Sequence, residues 1–336
     1  MNQGLPVALD AMGGDDAPAV TVAGARHAAE EFGIPVLLVG RPEELGDTGG
    51  LPVLGASEVV GMGDEPAASV RRLRDSSIVR AAEAVRDDRA KALVSAGNTG
   101  AAMAASLLKL GRIRGVSRPA IAIPMPVLGR TPTVLLDCGA NAECQPEWLL
   151  QFAQLGSIYA RNRYGVQSPR VGVLTIGEEV GKGNNLAKEA AALLGADGAW
   201  ADECGARYLG NVEGRDLMVD VADVVVCDGF TGNVVLKSLE GGVGVALDAI
   251  RQRMRSTPAA AAAADVLEPV LEPLFDELDP ETTGGAILLG VRGVSIIAHG
   301  SSSEIAIANA IRTASELADA GVVAQMTDVV QASRDR

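Results

Sequence analysis

Aromatic residues are scarce, with 2 Trp, 3 Tyr and 4 Phe among 336 residues. So few rings argue against a surface that stacks nucleic-acid bases or cages a cation. Histidine is rarer still: there are two, His27 and His299, too few for a His-rich metal site. Four widely spaced cysteines (Cys138, Cys144, Cys204 and Cys227) fit neither a disulfide framework nor a zinc ribbon. Basic residues are outnumbered, 29 Lys and Arg against 43 Asp and Glu. The net charge of -14 disfavours a phosphate-backbone footprint, and so a nucleic-acid partner. No run approaches the roughly 20 apolar residues that span a bilayer. The opening MNQGLPVALDAMGG lacks a charged segment followed by an apolar one, so no signal peptide is expected and a cytoplasmic setting is.

The familiar nucleotide and nucleophile motifs are missing too. There is no GxxxxGKS/T, Gly13-Gly14 does not extend into GxGxxG, and no GxSxG elbow occurs. What the chain has in quantity is apolar side chains, 48% of all residues, together with 40 Gly. That composition excludes disorder and, at this length, supports a large core.

Short apolar, β-branched runs alternate with longer segments of helical period. Strands are expected at residues 7–11, 36–39, 92–95, 120–123, 134–137, 171–176, 224–227 and 294–298. Several are apolar throughout, as strands covered on both faces are. Helices are expected at 20–32, 77–87, 99–109, 146–164, 185–194 and 303–320. The alternation predicts an α/β fold with a mostly parallel sheet. One stretch breaks it: residues 231–279 read as two consecutive helices parted near Ser256-Thr257-Pro258. Pro269 and Pro273 are expected to bend the second helix or begin separate turns. This insertion is either an ordinary helical hairpin packed on the sheet or a surface for an oligomer or a membrane. No linker divides the chain, so a single domain over 1–336 is expected.

Ligands of parallel sheets bind beyond the carboxyl ends of the strands. Gly/Asn/Thr/Ser clusters stand at six such places. They are residues 10–18, with Asp10, Gly13 and Gly14; Gly97-Asn98-Thr99-Gly100; Asp137-Cys138-Gly139-Ala140-Asn141; 177–184, containing Gly181-Lys182-Gly183; Asp228-Gly229-Phe230-Thr231-Gly232-Asn233; and His299-Gly300-Ser301-Ser302-Ser303. Turn chemistry and N-capping explain any one of them. Six together predict a polar, glycine-lined cleft fit for a phosphate-sized anion, since glycine admits a close approach of backbone N–H groups. Basic residues cluster at Arg71, Arg72 and Arg74, and again at Lys109, Arg112, Arg114 and Arg118. On an acidic protein such runs are either solvated faces or docking patches for an acidic carrier.

The strings ALDAMGGDDAP, GDEPAASVRRLRDSS, SAGNTGA, GRIRGVSRPAIA, LLDCGAN, VGVLTIGEEVGKGN, LGNVEGRDL, ADVVVCDGFTGNVVLKSLEG and IAHGSS resemble, in this order, the bacterial phosphate acyltransferases of phospholipid synthesis. The resemblance implies transfer of a fatty acyl group from acyl carrier protein to inorganic phosphate. The acyl phosphate so formed then acylates glycerol 3-phosphate. It also implies a three-layer α/β/α fold akin to isopropylmalate dehydrogenases and phosphate acetyltransferases, and a homodimer. Peripheral contact with the inner membrane face and the downstream glycerol-3-phosphate acyltransferase is implied as well; a cofactor or metal is not implied, and the carboxylates of Asp10, Asp137 and Asp228 leave a metal open. Where the family often carries a histidine after Met-Gly-Gly-Asp, this chain has Asp16, which leaves His299 as the site histidine. Cys138 is read as packing.

A thioester is already activated, so this reaction needs positioning more than a protein nucleophile. On the resemblance, Gly97, Asn98, Thr99 and Gly100 are expected to bind phosphate, with Lys182 supplying charge. Asn141, Thr231 and Asn233 are expected donors to phosphate or oxyanion, and His299 either a general acid or an orienting group. Gly13, Gly14 and Ser301 join the same site. Asp10, Asp137 and Asp228 are expected to pair with Lys182, backbone N–H groups or capping positions, although Asp10 and Asp228 are counted with the substrate-binding residues. Arg71, Arg72, Arg74, Arg112 and Arg114 are the expected carrier-docking residues. The alternatives are a phosphate acetyl- or butyryltransferase using coenzyme A and a non-catalytic membrane scaffold, against which the polar loops speak.

Overall fold

Apolar strands buried on both faces need helices on both sides, and this chain supplies them in turn. The computed structural model describes residues 4–196, 198–278 and 284–334. β1 (Val7–Asp10), α1 (Ala19–Phe32), β2 (Val36–Gly40) and β3 (Val53–Gly55) come first. They are followed by α2 (Pro66–Arg72), α3 (Ser77–Arg86), β4 (Ala92–Ser95) and α4 (Thr99–Ala105), which runs on as a π-helical turn (Ser106–Leu110). Next come β5 (Ala120–Met125), β6 (Thr133–Leu136), α5 (Pro146–Tyr164), β7 (Arg170–Thr175) and α6 (Asn185–Ala196). α7 (Ala199–Cys204), β8 (Arg207–Glu213), β9 (Val224–Val226), α8 (Gly229–Met254) and α9 (Pro258–Leu278) follow. β10 (Ala286–Leu289), β11 (Val294–Ile297), α10 (Glu304–Asp319) and α11 (Val322–Arg334) complete the order.

Among these residues the strands form one eleven-stranded sheet, ordered β3-β2-β1-β4-β11-β10-β5-β6-β9-β7-β8. Alternate strand residues feed opposite faces. Val7 and Leu9 pack with α1, α5 and α10 on one side, while Ala8 and Leu93 pack with α3 and α4 on the other. The result is the expected three-layer α/β/α arrangement. Helix ends follow local chemistry: α5 opens with proline at its first position and stops at Gly165 in the left-handed region, φ 69°.

All eight expected strands are present, and β3, β8 and β10 are additional. β3 and β8 are half-exposed edge strands without an apolar run to announce them. β10 pairs antiparallel with both β11 and β5, and β5 pairs antiparallel with β6. Consequently β6, β9, β7 and β8 run opposite to β1, β2, β4 and β11. The six polar loops therefore leave the sheet at two ends, three at each, and not in the single row that the alternation led us to expect.

The expected insertion is α8 and α9, parted at residues 255–257. α9 continues through Pro269 and Pro273 without breaking into separate turns, and Ala264 is its one buried residue.

Candidate functional site

Three loops meet at the carboxyl ends of β1, β4 and β11. Asp15 donates its backbone N–H to Gly300 O at 2.8 Å. Gly13 lies against Gly97 so closely that a Cβ on Gly13 would stand 2.8 Å from Gly97 N, and Gly14 holds φ +130°. These glycines let the loops touch. Behind them, Asp10 is 3% exposed and accepts from Ser95 Oγ at 2.8 Å, whose oxygen accepts the Gly97 N–H at 3.1 Å. Asp10 Oδ1 has no partner. Burial pushes this carboxyl up, opposed by hydrogen bonds from Ser77, Ser95 and Met12. Asp10 supports the loops from beneath, which corrects its place among substrate-contacting residues. Gly97 offers close approach and no free N–H.

A carboxyl whose folded pKa is raised contributes stability below its unfolded value and loses that contribution as pH rises through the folded value. Asp10→Asn is therefore expected to raise Tm relative to wild type near about pH 8, with the gain shrinking toward about pH 4. An equal difference at both pH values would contradict this reading.

Asn98 accepts from Ala101 N at 3.0 Å as the cap of α4. Its amide donates to Met62 O at 2.8 Å and Asp64 O at 3.3 Å. Gly100 is pressed against Pro66, where a Cβ would stand 2.6 Å from Cγ. Both were assigned to phosphate. Their polar groups and space are instead used to hold the segment around Met62 over the cleft.

At the other end of the strands, the loop after β6 is tied to the start of α8. Asp137 is fully buried and accepts from the backbone N–H of Ile121 (2.9 Å), Ala140 (3.0 Å) and Asn141 (2.7 Å), and from Asn141 Nδ2 (2.9 Å). Burial pushes its carboxyl up against those donors. Gly229 donates to Asn141 O at 2.8 Å, and any Cβ on Gly232 would overlap Asp137 O. Asn141 Nδ2 also donates to Pro119 O at 2.8 Å. Both its amide protons are engaged, which removes it as a donor to substrate. Thr231 gives its N–H and Oγ1–H to Asp228, the N-cap of α8, each at 2.8 Å. These two residues cap a helix and do not line the cleft. Asp137 and Asp228 are thus satisfied by backbone and capping groups, and neither by Lys182.

Between the two knots of loops, a cleft of about 570 Å³ crosses β5 and β10. Ile121, Ile123, Ile297 and Ala298 give it an apolar floor. Gly97, Thr99, His299, Ser301 and Ser302 stand on one side, Asn233 and Lys237 on the other. His299 Nδ1 lies 2.8 Å from Ser301 Oγ and accepts the Ser301 N–H at 3.3 Å. That bond places the proton of the neutral ring on Nε2, which remains a donor. The Asn233 amide makes no hydrogen bond to a described residue and is free to donate. Cys138 also lines the cleft, but burial pushes its thiol well up, so it packs and does not attack.

Lys237 escaped the sequence reading. Its Nζ is 2.8 Å from Glu240, leaving two N–H donors for an anion. The available signal was its spacing, four residues after Asn233 and so on the same helix face. Lys182 sits on the loop after β7, 4.0 Å from Glu179, outside the lining of the cleft. Among the described residues the lysine that lines the cleft is Lys237, not Lys182. Asp15 is a further lining residue that was missed.

Of the two basic patches, Arg71 and Arg72 end α2, whose Pro66 touches Gly100 at the mouth of the cleft, and Arg74 follows exposed. Arg112 and Arg114 lie beyond the π-turn, about 18 Å from Asn98 at the helical rise. Arg112 donates to Ser117 O.

Residues 5–325 match a family described as fatty acid synthesis protein. A phosphate acyltransferase from Desulfitobacterium hafniense is 47% identical over 328 residues, spanning 95% of this chain and 96% of that one. Another, from Heliobacterium modesticaldum, is 50% identical over 317 residues and spans 92% of each. Among solved structures, a phosphotransacetylase from Staphylococcus aureus superposes with a TM-score of 0.61 at 15% identity, over 94% of this chain and 95% of that one. A 4-hydroxythreonine-4-phosphate dehydrogenase from Klebsiella pneumoniae gives 0.51 at 14% identity, over 94% and 100%. At such identities the structural likeness is one of fold.

Proposed function

Because the chain belongs to the fatty acid synthesis protein family, alongside curated phosphate acyltransferases, we propose that it moves a fatty acyl group from acyl carrier protein to inorganic phosphate, releasing acyl phosphate. The observation that carries this reading is the cleft itself, where unengaged polar donors face each other across an apolar floor. Such a site can hold a small anion at one end and an acyl group along the other.

In this reading phosphate rests against the hydroxyls of Thr99 and Ser302, with Lys237 countering its charge. A phosphate oxygen attacks the thioester carbon once held at about 3–3.5 Å. The new C–O bond pushes the carbonyl electron pair onto oxygen, where the Asn233 amide donates to it. Collapse breaks the C–S bond, and the thiolate leaves with the electron pair, accepting a hydrogen bond from His299 Nε2–H and taking its proton from solvent. Lys237→Ala is expected to raise the phosphate KM about tenfold, and Lys182→Ala to leave it within about twofold. The reverse order in steady-state assays would overturn this assignment.

Arg71, Arg72 and Arg74 adjoin the cleft mouth and are the proposed first contact for the acidic carrier, with Arg112 and Arg114 farther off. The donor is tested by comparing kcat/KM for palmitoyl–acyl carrier protein and palmitoyl–coenzyme A. Preference for coenzyme A would shift the reading to the acetyl- or butyryltransferase alternative.

A homodimer and peripheral attachment at the cytoplasmic face of the membrane belong to the same proposal. The apolar Phe230, Val234 and Val245 exposed on α8 offer a face to a second copy. Among the described residues no helix is long and apolar enough to cross a membrane. Val266, Leu267 and Val270 stand exposed on one side of α9, placed to meet lipid near the downstream glycerol-3-phosphate acyltransferase. Val266→Asp with Leu267→Asp is expected to abolish flotation with anionic liposomes, and unchanged flotation would rule this surface out.

A further inference from the structure

The apolar floor of the cleft continues beyond it. Side chains on a strand alternate between faces, so Ile121, Ile123 and Met125 of β5 point the same way. The first two line the cleft, and Met125 lines a second groove of about 210 Å³ beneath the α8–α9 hairpin. α8 supplies a matching wall. Leu236, Glu240, Gly244 and Leu247 recur at helical spacing on one face. Leu236 lines the cleft, Gly244 and Leu247 line the groove, and Glu240 borders both. Floor and wall are therefore continuous from one cavity to the next. At the far end Arg251 stacks over Phe275 at 4.9 Å and lies 3.7 Å from Asp248. From Asn233 to Leu247 the helical rise gives about 21 Å, a span suited to a long extended acyl chain.

Resting on the acyl-transfer reading above, we infer that the groove receives the distal part of the acyl chain and that Gly244 sets the longest chain admitted. The wall is apolar at Leu236 and Leu247, carries the Glu240 carboxylate paired with Lys237 between them, and at Gly244 leaves room where any side chain would intrude. The space around a Cβ at Gly244 is open to 4 Å, so a larger residue enters without backbone strain. A leucine there also improves the helix, so the fold is retained.

The experiment measures kcat/KM for octanoyl– and palmitoyl–acyl carrier protein with wild type and Gly244→Leu, and runs equilibrium dialysis of free octanoate and palmitate against both proteins. Gly244→Leu is expected to lower palmitoyl kcat/KM at least about tenfold and to weaken palmitate binding to a similar degree, leaving the eight-carbon probes within about twofold. Leu247→Ala, which opens the far end, is expected to raise stearoyl relative to palmitoyl turnover. Equal effects on both chain lengths, no effect, or a wild type that binds palmitate no tighter than octanoate would each overturn the inference. Length-selective palmitate binding without any phosphate-dependent turnover would instead overturn the acyl-transfer reading and uphold the groove.

Discussion

Exchanging Asn233 for Ala is expected to lower kcat about 100-fold while changing the phosphate KM less than about threefold. Asn233 follows directly from the capped start of α8, and its amide stands opposite Gly139, where a Cβ would lie 3.7 Å from the Asn233 Cγ. Unlike Asn98 and Asn141, it spends neither amide proton on a described residue. A preset donor aimed where charge develops strengthens its bond in the transition state and costs little reorganisation. Removing such a donor typically costs about 10²–10³ in kcat. A 100-fold loss corresponds to about 2.7 kcal/mol at 1.36 kcal/mol per decade. Steady-state kinetics with a thermal melt as control decide it. A loss confined to KM would make Asn233 a binding contact, and a change in kcat below about threefold would remove it from the mechanism.

The second large effect is on folding. Asp137→Ala is expected to cost about 3–5 kcal/mol, because it removes at once the acceptor of the buried Ile121 N–H and of the part-buried Ala140 and Asn141 N–H groups. Asp137 gathers Ile121, Ala140 and Asn141, which join the floor of the cleft to the loop that braces α8. This is a large share of the roughly 5–15 kcal/mol that holds a typical domain. Urea unfolding should show a lower midpoint at unchanged slope, and a loss below about 1 kcal/mol would contradict the assigned role. Activity should fall further than stability alone accounts for, since Gly232 and Asn233 lean on the same knot.

The layers of the fold were legible because strands such as β1 and β9, buried on both faces, carry unbroken apolar runs. The reversal at the centre of the sheet was not. β10 joins β11 across Gly290-Val291-Arg292-Gly293 without the helix that the alternation demanded, and the direction of a strand depends on a partner far away in sequence. Together with the antiparallel turn from β5 into β6, it separates loops that look equivalent in the sequence. Residue type announced Thr99, His299, Ser301 and Asn233, which line the cleft. The same reasoning chose Asn98, Asn141 and Thr231, whose protons are consumed by caps and loop ties, a difference visible in geometry alone. Lys182 attracted attention between glycines. Lys237, in mid-helix, reads like any solvent-facing lysine until the helix is seen to border the cleft.

The most direct test of the central claim incubates the purified protein with palmitoyl–acyl carrier protein, with and without inorganic phosphate. Free carrier thiol is followed while acyl phosphate is trapped as hydroxamate. The account predicts that thiol and hydroxamate appear together, in equal amounts, and only when phosphate is present. Thiol released equally without phosphate, or no release with the carrier under either condition, would contradict it.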